Sequence, residues 1–135
     1  MLITIINNIQ EISLVHETLL TYMAKLPLDS EDQKKISIAV DEILSNIIFY
    51  GFEDHLEHHI TLQLKHSEGN IDLEFVDDGI HFDPLEFIHM RQSLPKTDKA
   101  GGLGLDIVAK LMHQLHYRRI ENKNILTLNM KYRAI

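Results

Sequence analysis

The apolar residues of this chain change period at Gly51. Before it, in "EDQKKISIAVDEILSNIIFYGF", Ile36, Ala39, Val40, Ile43, Leu44, Ile47 and Ile48 recur at three- and four-residue spacing, which is the stripe of an amphipathic helix. After it, Ile60, Leu62 and Leu64 alternate with polar residues, "SEGN" supplies a turn, and Ile71, Leu73 and Phe75 alternate again. That is the pattern of a β-hairpin with one buried face. A one-sided helix beside a one-sided hairpin buries both apolar faces by stacking them in two layers.

The flanking segments extend this pattern. "LITII" suits a short strand, and "IQEISLVHETLLTYMAKL" carries a helical apolar spacing from Ile9 to Leu26. "PLDS" interrupts the chain, and Ser30 with Gln33 reads as a capping box. "DPLEFIHMRQ" predicts a short helix with Pro84 in its first turn. "SLPKTDKAGG" reads as a polar, lid-like loop, followed by a helix from about Leu103 to about Leu115 and a closing hairpin in "YRRIENKNILTLNMKY". The expected architecture is α+β: a two-layer α/β sandwich with helices on one face of a mixed, mostly antiparallel sheet. At 135 residues with no internal repeat or linker, one domain spanning 1–135 is expected.

Composition removes several classes of function. There is no cysteine, so thiol catalysis, disulfide frameworks and thiolate metal sites are out. The formal charge of −7 argues against a nucleic-acid partner, which needs a basic face. No apolar run is long enough to span a bilayer. "MLITIINNIQEIS" has neither a basic n-region nor a small-residue cleavage site. No membrane association and a cytoplasmic location are the expectations.

Three polar signals interrupt this plan. Glu42 and Asn46 lie one helical turn apart on the long helix. Read alone they are a solvated stripe; read together they are a carboxylate base beside an amide oxygen able to ligate a metal. Asp77-Asp78-Gly79 ends a strand. Alone it is a turn, but a buried carboxylate there can accept from an amino group on a base, favouring adenine over guanine. Finally, three of the six glycines, Gly101, Gly102 and Gly104, precede a helix. Such a helix start has unpartnered N–H groups and a positive dipole end, and glycine lets the backbone wrap a phosphate closely.

In this order and spacing the three signals resemble the N box ("EILSN"), G1 box ("DDGIH") and G2 box ("GLG") of the GHKL superfamily, which shares the Bergerat ATP-binding fold. "DDGIHFDPL", "GGLGLDIVAKLM" and "YRRIENKNILTL" are most similar to RsbW-type anti-sigma-factor serine kinases, and the likeness runs over residues 1–132. One departure is His81, which stands where the G1 pattern has its second glycine. The resemblance implies ATP and Mg²⁺ as cofactors. It implies Asp77 as acceptor from the adenine amino group, Gly79 as the place where the chain passes the base, and Thr127 as a second adenine contact. Asn46 would ligate Mg²⁺. Gly101, Gly102, Leu103, Gly104 and Leu105 would wrap the phosphates through backbone N–H groups, with charge from Lys96 and Lys99. Glu42 would be the general base toward a protein hydroxyl. The implied activity is that of a serine/threonine-protein kinase acting on a STAS-domain antagonist, with a sigma factor as a second partner and a homodimer compatible with the family.

Other readings stay open at this point. ATP could serve only as a conformational cofactor for a module that sequesters a partner. The chain could be the ATPase half of a larger machine, or a histidine-kinase catalytic domain whose acceptor helix lies elsewhere. The cluster His55, His58 and His59 reads as an exposed loop before the hairpin rather than a metal site. His16-Glu17 lacks the downstream residues of a phosphoacceptor box.

Overall fold

The structure, a computed structural model, describes residues 1–94 and 103–133. Its order is β1 (Leu2–Ile6), α1 (Glu11–Met23), α2 (Ser30–Tyr50), β2 (His59–Ser67), β3 (Asn70–Asp77), α3 (Pro84–Gln92), α4 (Leu103–Leu111), β4 (Gln114–Ile120) and β5 (Lys123–Lys131). The five strands form one sheet in the order β1-β2-β3-β5-β4. Every pairing among the described strands is antiparallel, so the sheet is more uniform than the expected mixed arrangement.

Alternation along the strands builds the core. Ile60, Leu62 and Leu64 of β2, Ile71, Leu73 and Phe75 of β3, and Leu126, Leu128 and Met130 of β5 all point to the helix layer and are buried. The register stacks them in rows, with Phe75 between Leu62 and Leu126, and Leu73 between Leu64 and Leu128. The helices answer with Val15, Leu19 and Met23 from α1 and Ile36, Ala39, Val40, Ile43 and Leu44 from α2. Each large side chain buried this way contributes about 1.5–3 kcal/mol relative to exposure. The outer face of the sheet carries Thr61, Gln63, Asp72, Glu74, Thr127 and Asn129, on the opposite parity.

Local chemistry sets the boundaries, and two differ from expectation. Helix α2 is capped by Asp29, whose carboxylate accepts from the Asp32 N–H at 2.8 Å. Ser30 is already helical, so the Ser30–Gln33 capping box is not formed; an Asx cap one residue earlier takes its place. Helix α4 stops at Leu111 rather than near Leu115. The His113 N–H bonds the Asn129 carbonyl at 2.8 Å, which commits the following residues to β4. Leu115 fits both periods, being four residues after Leu111 and two before Tyr117, and the ladder to β5 decides between them. The β4–β5 turn is the two-residue Glu121-Asn122, both with positive φ, matching the twist of a tight hairpin.

One polar contact ties α3 to α4. The Arg91 guanidinium, 3% exposed, donates from Nη2 and Nε to Asp106 Oδ2 at 3.0 and 3.2 Å. It also lies 6.0 Å from the centre of the Phe87 ring. Arg91→Ala would leave Asp106 without its partner and open a gap beside Phe87. Because the Asp106 side chain is 28% exposed, urea denaturation should show a loss of about 2 kcal/mol, below the ~3–5 kcal/mol of a fully buried broken pair.

Candidate functional site

A cleft of about 380 Å³ opens between the helix layer and the end of the sheet where β3 finishes. Ile43, Asn46 and Ile47 of α2 form one wall, Phe82 and Phe87 another, and Leu105 of α4 closes a third side; Asp77 and Asn124 are part of its lining. The lining is mostly apolar, as a flat heteroaromatic ring requires, with few polar groups to orient it.

Asp77 is the last residue of β3 and faces inward by the same alternation that buries Phe75. It is 6% exposed. Its Oδ1 accepts from the Gly79 N–H at 2.9 Å and from Asn124 Nδ2 at 3.0 Å. Among the described residues no group bonds Oδ2. Burial pushes the Asp77 carboxyl above the ordinary carboxylate value, while the Asn124 and Gly79 donors and the Arg119 charge pull it back.

Asn124 joins Asp77 to β4. It stands opposite Asp77 in the β3–β5 ladder and is 7% exposed. Its Nδ2 also donates to the Ile80 carbonyl at 2.8 Å, and its Oδ1 accepts from the Tyr117 hydroxyl and from Arg119 Nη1. Arg119 Nη1 further bonds the Gly79 carbonyl at 2.8 Å. The turn after β3 is thus fixed from both sides. Gly79 itself is required by a close approach, because a Cβ there would overlap the Gly51 carbonyl oxygen at the end of α2. The neighbouring Ile80 N–H donates to that same oxygen.

Glu42 and Asn46 lie on the α2 face turned toward α4. Asn46 lines the cleft, and among the described residues no hydrogen bond engages its amide. The Glu42 carboxylate rests against the backbone of Gly104, in the first turn of α4, where any Cβ would overlap it. That turn holds Leu103, Gly104 and Leu105, whose N–H groups meet no acceptor among the described residues. The donor set suits Mg²⁺, which takes oxygen ligands and keeps several waters, so one amide oxygen on the protein side suffices.

Of the residues expected from sequence, Glu42, Asn46, Asp77, Gly79, Gly104 and Leu105 converge on this cleft and its rim. Thr127 does not. It sits three residues along β5 from Asn124, so its side chain points to the outer sheet face, beside Glu74 and His116 in the ladder. The strand's polar inward position is Asn124, which sequence reasoning passed over together with Tyr117 and Arg119. The signal was a lone Asn at the start of the inward series Asn124, Leu126, Leu128, Met130. Gly101, Gly102, Lys96 and Lys99 lie outside the described residues. The His81 ring, at the departure from the G1 pattern, stands 5.9 Å from that of Tyr117.

The chain matches the family described as "Histidine kinase-like ATPase domain" over residues 7–130. It therefore belongs to the histidine kinase-like ATPase domain family. It is 30% identical over 95 residues to the serine/threonine-protein kinase BtrW of Bordetella bronchiseptica, a match covering 69% of this chain and 66% of that protein. The fold is shared with the crystal structure of the RsbU and RsbW domains of Rv1364c from Mycobacterium tuberculosis. That likeness has a TM-score of 0.66 at 16% identity and covers 97% of this chain and 31% of the other.

The His cluster resolves into one engaged residue. His58 places Nε2 2.8 Å from the Asp54 carboxylate and Nδ1 2.9 Å from that of Asp78, and its ring stacks on Phe52. With both ring nitrogens facing acceptors, the doubly protonated form is favoured, and His58 is held above its ordinary value, first by Asp54 and then, against desolvation, by Asp78. The stability this clamp supplies is fully present below the unfolded value near 6.5 and is lost as pH rises through the folded value. Denaturation of wild type and His58→Gln between about pH 6 and about pH 9 should therefore show their stability difference shrinking toward high pH.

Proposed function

We propose that the chain is an ATP-dependent serine/threonine-protein kinase of the anti-sigma-factor type. The observation that carries this reading is the buried, acceptor-only Asp77 at the apolar cleft, with Glu42 and Asn46 one turn apart on α2 facing the start of α4. An adenine ring would lie between Ile43, Ile47, Leu126 and Phe87, which line the cleft, and its 6-amino group would donate to Asp77. The phosphates would run toward the first turn of α4, where helix-start N–H groups would favour negative charge. Mg²⁺, held through Asn46, would offset much of the triphosphate charge.

In the proposed reaction a serine or threonine hydroxyl of the protein substrate attacks the γ-phosphorus. Its proton passes to Glu42, the bond from the γ-phosphorus to the bridging oxygen breaks, and ADP leaves. The Glu42 position against Gly104 supports this role, since it puts the carboxylate beside the phosphate-binding turn. Phosphoryl transfer asks mainly for positioning and charge stabilisation, so the base adds a modest share. The 30% identity to the serine/threonine-protein kinase BtrW supports the kinase reading; a STAS-domain antagonist as substrate, a sigma factor as a second partner, a homodimer and a cytoplasmic location are proposed from the resemblance of the sequence motifs alone.

Incubation with labelled ATP and Mg²⁺ plus candidate STAS proteins tests the reading. Label on Ser or Thr is the expected result; ATP-dependent complex formation without label would replace the kinase by a sequestering module. Glu42→Gln should hold ATP affinity within about threefold while transfer falls about 10²–10⁴-fold; transfer at the wild-type rate would remove Glu42 as base. Asp77→Asn keeps an oxygen for Gly79 and Asn124 but removes the buried charge. Calorimetry should show ATP affinity down more than about tenfold, while the melting temperature holds or rises.

A further inference from the structure

The Asn124 side chain has two donors and two lone pairs, and all four are engaged. Nδ2 faces two acceptors, Asp77 Oδ1 and the Ile80 carbonyl; Oδ1 faces two donors, the Tyr117 hydroxyl and Arg119 Nη1. Flipping the amide would set like against like at Asp77, Ile80 and Arg119, the Tyr117 hydroxyl alone being able to reverse its role, so its orientation is fixed. Nothing is left over for a ligand. Yet this saturated amide grips Asp77, the carboxylate that lines the cleft among the described residues, on the oxygen that also takes the Gly79 N–H. Rotating the carboxylate would break both bonds, so Oδ2 is the oxygen free to meet a base.

We propose that Asn124 is the positioning residue for base selection, holding Asp77 so that Oδ2 meets the nucleobase as a pure acceptor. This rests on the nucleotide reading of the cleft given above. Adenine offers a donor at its 6-position and guanine an acceptor, so an ionised Asp77 accepts the first and repels the second. A protonated Asp77 would carry an O–H able to meet the guanine oxygen. Selection therefore depends on the carboxyl staying ionised in a place that disfavours charge.

Several groups bear on that ionisation. Asp78, next along the chain, opposes it, and Asp78 is itself engaged by His58. From β4, Arg119 favours it directly and also polarises the Asn124 amide through Oδ1, which strengthens the Nδ2–H bond to Asp77. Tyr117, whose hydroxyl burial pushes up, and the nearby His81 complete the set. Among these, Asn124 is the neutral group in direct contact whose removal takes away a hydrogen bond without adding a charge.

The test compares wild type, Asn124→Ala and Arg119→Met by calorimetry with ATP and with GTP from about pH 5.5 to about pH 8.5, alongside carbon NMR titration of the Asp77 carboxyl. In Asn124→Ala the Asp77 midpoint should rise by about one pH unit, and the acid limb of the ATP-affinity profile should rise with it. The preference for ATP over GTP should drop in Asn124→Ala, by at most about tenfold at the acid end of the range and by progressively less as pH rises. Arg119→Met should move both readouts the same way by a smaller amount, and it decides the matter if Asn124→Ala does not fold. Equal losses for both nucleotides at every pH, with the midpoint unmoved, would overturn the proposal and leave Asn124 a packing residue. If wild type takes up no ATP, the nucleotide reading falls, and the NMR midpoint alone then decides whether Asn124 governs the charge of Asp77.

Discussion

An ionisable side chain is buried where two β-strands meet, and much of the molecule is arranged around tolerating it. Asp77 meets no salt bridge among the described residues. It is held by a backbone N–H, by the Asn124 amide and by an arginine one residue further away. Each of these depends on the register of the sheet, because a one-residue slip between β3 and β5 would send Asn124 to the outer face. Register in turn depends on the rows of Leu, Ile and Phe that bury the rest of the same strands. The apolar core and the polar site are thus set by one alternation.

The second constraint is the approach of α2 to its neighbours. At one end the α2 carboxylate Glu42 lies on the bare backbone of Gly104; at the other the Gly51 carbonyl accepts from Ile80 and leaves no room for a side chain at Gly79. Two glycines from different parts of the chain serve the same purpose, letting a helix lie against a backbone segment that carries site residues. The Arg91–Asp106 pair fixes α3 to α4 on the far side of the cleft. The walls are therefore defined by glycine contacts on one side and an ion pair on the other.

Much of this was legible in the sequence. The long helix and the hairpin announce themselves because their periods are unambiguous over many residues. Glu42 and Asn46 stand out as a polar pair one turn apart at the edge of the apolar stripe, and Asp77 as an acid at the end of an alternating strand. What was not legible depended on choices made by the fold as a whole. Leu115 satisfies both a helical and a strand spacing, and only pairing with Leu128 settles it. Asp29 and Ser30 are both good caps, and the entry angle of the chain picks the first. Thr127 was assigned by likeness of position, whereas counting alternate residues back from Met130 would have named Asn124. Arg91 gave no signal, since a basic residue at a helix end ordinarily faces water, and its burial follows from a partner fifteen residues away.

The helices cover one side of the sheet, and the other side carries mainly polar side chains on β2, β3 and β5, with Asn129 bonded to Asp72 across β3 and β5 at 2.8 Å. Because the cleft opens on the helix-covered side of the sheet, that far surface is a natural handle. A fluorophore or immobilising tether attached at Thr127 or Glu74 would stand behind the sheet, out of the way of anything entering in front, so the molecule can be anchored by its back while its working side stays open to solvent.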